Sequence, residues 1–112
     1  MSYKIDGTSI YLTRGDTLEA LVEATLPDPD GGPYIPQEGD SIRFAMKSDY
    51  EDPEPLLIKE IPNDTMLLIL NPEDTKHLPF GKYVYDIQLT YASGKTDTFI
   101  TKAKFRLTEE VD

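Results

Sequence analysis

The chain holds one imidazole, His77, and no cysteine. Without cysteine there is no disulfide frame, thiol nucleophile, iron–sulfur cluster or cysteine zinc site. A serine–histidine–aspartate relay would need a serine beside His77, and no nucleophile-elbow motif occurs. A lone histidine next to Lys76 near a helix end serves more simply as a surface or capping group. The 21 acidic residues could supply the carboxylate pair of a glycosidase, but no spacing selects two of them, and carboxylates ordinarily form solvated surface. These absences point to a protein that is not an enzyme and that needs no cofactor.

Five short motifs suggest binding chemistry. Gly94-Lys95-Thr96 resembles the end of a phosphate loop, but the required earlier glycine is replaced by Leu89 and a strand follows where a helix should, so a hairpin turn is expected. Asp28, Asp30 and Gly31 hint at a calcium loop, yet Pro33 and Gly39 occupy the positions that need glycine and glutamate. Only a weak surface site is left, against a solvated acidic loop. Arg14-Gly15-Asp16 is the integrin tripeptide, placed where glycine and aspartate make a turn. Asn63-Asp64-Thr65 is a glycosylation sequon, which has no expected use without a secretory signal. Glu109-Glu110-Val111-Asp112 matches the chaperone tail bound by repeat-domain clamps, here almost directly after a strand.

These residues must be positioned by strands. A chain of 112 residues with 38% hydrophobic side chains is one domain able to build a core. Period-two alternation marks half-buried strands over 18–26, 41–47, 83–91 and 99–107. In the last, Phe99, Thr101, Ala103, Phe105 and Leu107 are expected to face inward. Shorter strands are expected over 9–12, 56–60 and 65–70. Met66–Leu70, apolar on both faces, should lie centrally in a sheet or near an interface. Residues 27–33, rich in proline and glycine, should lack regular structure. Turns are expected at Gly15, Gly39 and Gly94, and one helical turn after Asn71, with Pro72 first and Glu73 and Asp74 at its positive end, stopping by Leu78 before Pro79 and Gly81. The sum is an all-β, immunoglobulin-like antiparallel β-sandwich of about seven strands with one short helical turn, filling residues 1–112. An SH3-like or OB barrel shares the pattern. Tyr83, just after Gly81, is either a tyrosine corner bonded back to the preceding connection or a core aromatic with its hydroxyl at the edge.

Charge narrows the partners. Net charge is −10 and the pI about 4.4, which disfavours nucleic acid and anionic membranes. Met1–Asp6 lacks a signal-peptide run, and the longest apolar run, Met66–Leu70, is far below the roughly 20 residues of a membrane span. Residues 1–56 carry four basic and twelve acidic side chains, and residues 57–112 seven and nine. The acidic part, Asp28 to Glu54, includes Asp49, Glu51 and Asp52. Opposite in sign, Lys102, Lys104 and Arg106 share one face of the last strand, as a solvated or protected edge or as a basic contact surface. Tyr34 and Tyr50 in the acidic loops are either sugar-stacking aromatics or loop anchors.

Four segments carry a family resemblance: Leu12–Thr17, Glu38–Lys47, Pro79–Ile87 and Phe99–Leu107. Together they resemble the immunoglobulin-like N-terminal domain of baseplate upper proteins from phages and prophages of Gram-positive bacteria. The resemblance covers nearly the whole chain and consists of turns and strands. It implies a structural or docking module of a tail or baseplate, made in a bacterial cytoplasm and carried into a particle. Its partners would be other phage structural proteins or further copies of itself. Asp28, Asp30, Tyr34, Asp49, Tyr50, Glu51, Asp52, Lys102, Lys104 and Arg106 are the candidate contacts, and Gly15, Gly81, Tyr83 and Gly94 the structural positions. A carbohydrate-binding or adhesion module is the competing expectation.

Overall fold

Alternating apolar and polar residues make extended segments that bury one face. The computed structural model describes residues 3–26 and 32–108 and contains ten such segments and one helical turn. They are β1 (Tyr3–Asp6), β2 (Ser9–Thr13), β3 (Leu18–Leu21), β4 (Ala24–Leu26), β5 (Gly32–Tyr34), β6 (Ser41–Lys47), β7 (Leu57–Ile61), β8 (Leu67–Leu70), α1 (Pro72–Thr75), β9 (Gly81–Thr90) and β10 (Thr96–Thr108). An open six-stranded sheet runs β1-β2-β10-β9-β6-β7, and two small sheets, β3-β8 and β4-β5, form the second layer. The fold is an all-β sandwich, and the six-stranded sheet ends at β1 and β7 rather than closing into a barrel.

The core follows the alternation. Ile42, Phe44 and Met46 of β6, Tyr83, Tyr85, Ile87 and Leu89 of β9, and Ala103, Phe105 and Leu107 of β10 form one buried cluster with Leu18 and Ala20 of β3 and Leu68 and Leu70 of β8. At its centre the Phe44 ring lies 5.2 Å from Tyr85 and 6.2 Å from Phe105. Burying each of these phenylalanines contributes about 1.5–3 kcal/mol.

Several details differ from the sequence expectation. Ten strands form the sandwich where about seven were expected, because β1, β4 and β5 are short. The strand expected over 18–26 divides into β3 and β4 at Val22-Glu23, each half pairing with a different partner, while Leu18, Ala20, Val22 and Ala24 all remain buried. Pro33 does not keep its segment irregular: it stands opposite Thr25 in a three-residue strand of a two-stranded sheet, where a missing donor is tolerated. Pairing is antiparallel except between β2 and β10, which run parallel. β8 is not central, since its sheet has only two strands.

β10 departs most. Between Thr98 and Ile100, and again between Ile100 and Ala103, it carries one residue more than β9 needs. These two bulges make Asp97, Ile100 and Ala103 the partners of the buried Leu89, Ile87 and Tyr85. Thr101 is therefore exposed rather than inward, and Phe99 is only partly buried.

The helical turn forms where expected. The Asn71 N–H donates to Asp74 Oδ2 at 2.7 Å, Pro72 opens the turn, and Glu73 and Asp74 occupy the first turn. Lys59 of β7 reaches Asp74 at 3.1 Å and ties the turn to the large sheet.

Candidate functional site

The fold gathers the singled-out residues into four places. The first is a corner at the start of β9. Gly81 begins that strand and Tyr83 follows two residues later. The Tyr83 O–H donates to the Pro79 carbonyl at 2.6 Å, so Tyr83 makes the tyrosine corner. Its ring is buried, and burial raises its pKa against the opposing effect of Arg14. Arg14 stands 4.1 Å over the Phe80 ring and donates to the Leu78 carbonyl at 3.2 Å. The Gly15 N–H donates to Oγ1 of the buried Thr75 at 3.1 Å. The integrin-like tripeptide thus ties the β2–β3 turn to the corner. His77 is exposed beside it.

The second place is a polar staple that the sequence did not single out. Asp40 is buried at the start of β6. Its Oδ2 accepts from the Tyr34 O–H at 2.6 Å and the Gln37 N–H at 2.8 Å, and its Oδ1 from the Ala92 N–H at 3.0 Å. Asn63 Nδ2 donates to the Asp40 carbonyl at 2.7 Å, so the sequon asparagine is a staple member. Three hydrogen bonds meet on this carboxylate and a fourth on the backbone carbonyl of the same residue. The Tyr34 bond, then the Gln37 N–H, hold Asp40 below its ordinary pKa against the effect of burial. The same bond, with burial second, pushes the Tyr34 hydroxyl up to about 12. The Tyr34 ring packs edge-on to Tyr91 at 5.6 Å. Tyr34 is therefore a loop anchor. The only sequence cue to Asp40 was an ordinary Gly-Asp turn.

The third place lies on the outer face of the large sheet. Ser48–Leu56 connects β6 to β7, and within it Ser48 donates to Asp52 and the Asp49 carboxylate accepts from the Glu51 N–H at 3.4 Å. Asp49, Glu51 and Asp52 shape this loop. Tyr50 leaves it to reach β10, donating its O–H to the Lys102 carbonyl at 2.9 Å. The Lys102 N–H donates to Asp86 Oδ1 at 2.9 Å, and the Lys102 ammonium stands 5.7 Å from the Tyr50 ring centre. Lys102 has φ +52°, a left-handed conformation that costs a residue with a side chain about 1–3 kcal/mol. A cleft of about 260 Å³ opens here, lined by Lys47, Tyr50, Asp86, Thr98, Thr101 and Lys102 among others.

Lys102, Lys104 and Arg106 lie on the outer face of the large sheet, alternating with the buried Ala103, Phe105 and Leu107, and Lys102 sits in the bulge without a ladder partner. The stripe is not a protected edge at Arg106: β10 pairs there with β2 on one side and β9 on the other. Gly94 closes the β9–β10 hairpin, with its N–H bonded to the Tyr91 carbonyl at 2.8 Å. The Gly-Lys-Thr resemblance to a phosphate loop therefore ends in a hairpin. Asp28 and Asp30, and the Glu109–Asp112 tail, lie outside the described residues. Among the described residues, no three acidic or histidine side chains are grouped to hold a metal.

The fourth place is the outer face of β3–β8. Leu21 stands opposite Leu67 and Glu19 opposite Ile69. Leu21 is 70% exposed and Ile69 39%, so this small sheet carries aliphatic side chains on both faces. Among the described residues no helix is long and apolar enough to cross a membrane. No family model, curated protein or solved structure matches this chain.

Proposed function

We propose that the chain is a non-enzymatic docking module of a phage-derived particle, produced in a bacterial cytoplasm and incorporated into a tail or baseplate. The observation that carries this reading is the outer β3–β8 face. Leu21, Leu67 and Ile69 form an aliphatic surface on a two-stranded sheet, where a globular domain ordinarily places polar residues. The rigid scaffold behind it supports surface complementarity as the mechanism. The resemblance of Leu12–Thr17, Glu38–Lys47, Pro79–Ile87 and Phe99–Leu107 to baseplate domains supports the choice of partner, another structural protein of the same particle.

The test is co-expression with the structural proteins encoded beside its gene, followed by size-exclusion chromatography. The wild-type chain is expected to co-elute with one of them. A Leu21→Lys, Ile69→Lys double variant should melt at the wild-type temperature and elute alone. Absence of co-elution for the wild-type chain with every neighbour overturns the reading.

A further inference from the structure

We infer that the cleft between Tyr50 and Lys102 binds a hexuronic acid, a sugar ring bearing a carboxylate. This site is on the large sheet and is independent of the β3–β8 docking face; it narrows the carbohydrate expectation from two tyrosines to one. Three observations converge.

The backbone at Lys102 is held in the left-handed region, φ +52°, by two side chains from other elements: Asp86 accepts from its N–H and Tyr50 donates to its carbonyl, each at 2.9 Å. Glycine would satisfy the same bulge without steric penalty. A lysine in that position keeps an ammonium at the cleft at a steric cost, and strained residues gather at ligand clamps.

The charge in the cleft is opposite to that of the molecule. Lys47 and Lys102 line it with a single carboxylate, Asp86, one of whose oxygens is already taken by the Lys102 N–H. Two lysines against one partly engaged carboxylate favour an anion at short range, against the overall field of a chain of net charge −10.

The remaining lining is that of a sugar site. Tyr50 is 47% exposed and offers an aromatic ring to sugar C–H groups, while Thr98 and Thr101 offer hydroxyls. At about 260 Å³ the cleft lies below the roughly 300–1,000 Å³ usual for drug-sized ligands, which suits one ring.

The test is an amide-resolved NMR titration with glucuronic and galacturonic acids, using glucose, galactose and acetate as controls. At least one of the acids is expected to shift the Thr98, Thr101 and Lys102 amides, binding at least tenfold more tightly than any control. Lys102→Gly keeps the backbone conformation and removes the amine. It should melt at or above the wild-type temperature and bind that acid at least tenfold more weakly. Shifts equal to those from acetate or neutral hexoses, or no shifts, overturn the proposal. So does a Lys102→Gly variant that binds like the wild type, or one that melts lower, since the lysine would then serve the fold.

Discussion

Tyr83 and Asp40 show how single polar groups fix this sandwich. The Tyr83 ring belongs to the core while its hydroxyl bonds to Pro79, which fixes the path by which the chain enters β9. Tyr83→Phe keeps the ring and removes one hydrogen bond. It should cost about 1 kcal/mol in urea denaturation, the usual net worth of such a bond. A variant as stable as the wild type would show that the corner is a consequence of packing. The corner was visible in the sequence because a tyrosine just after Gly81 and Pro79 is a local pattern. Asp40 was not, because its partners Tyr34, Gln37 and Ala92 are brought together by tertiary structure, up to 52 residues away in sequence. Tyr50 and Lys102 were each singled out, one as an aromatic and one as a cation. That they touch depends on a bulge that no residue type announces.

At the scale of elements, alternation identified β6 and β9 because each buries one face throughout its length. It misplaced the first half of β10, since each inserted residue reverses the inward phase and leaves no mark in composition. It also joined β3 to β4, because the buried phase continues unbroken while the pairing partner changes. Turns were legible through glycine, and Gly39 shows the physical need most plainly. Its φ is +92°, and a Cβ there would lie 2.8 Å from the Ala92 Cβ of the β9–β10 hairpin. Gly39→Ala therefore suffers both backbone strain and a clash, with an expected loss of about 2 kcal/mol in stability. Adding Ala92→Gly should recover the clash but not the strain, giving a double-mutant coupling measurable by urea titration. A Gly39→Ala loss below about 0.5 kcal/mol, the range of ordinary surface substitutions, would contradict this geometry.

For the whole molecule, titration sets the limits of stability. The tyrosines Tyr34 and Tyr85 both have hydroxyls pushed up to about 12, Tyr34 chiefly by its bond to Asp40 and Tyr85 by burial. A hydroxyl that holds its proton more tightly when folded contributes stability that is fully present below its unfolded pKa, near 10, and lost as pH rises through 12. Asp40 acts in the opposite sense. Its folded pKa is depressed, so its contribution is present above the ordinary carboxylate range and lost as pH falls through its lowered value. Repulsion within a chain of net charge −10 works against folding at neutral pH and fades toward the pI of about 4.4. Melting temperature should therefore hold or rise from pH 7 toward 5, fall in stronger acid, and fall steeply between pH 10 and 12. Tyr34→Phe removes one of the raised hydroxyls, leaving those of Tyr83, Tyr85 and Tyr91, together with its bond to Asp40. It should lower the neutral-pH melting temperature and make the alkaline decline shallower. A decline of unchanged steepness in that variant would place the alkaline limit on other groups and separate the Asp40 staple from it.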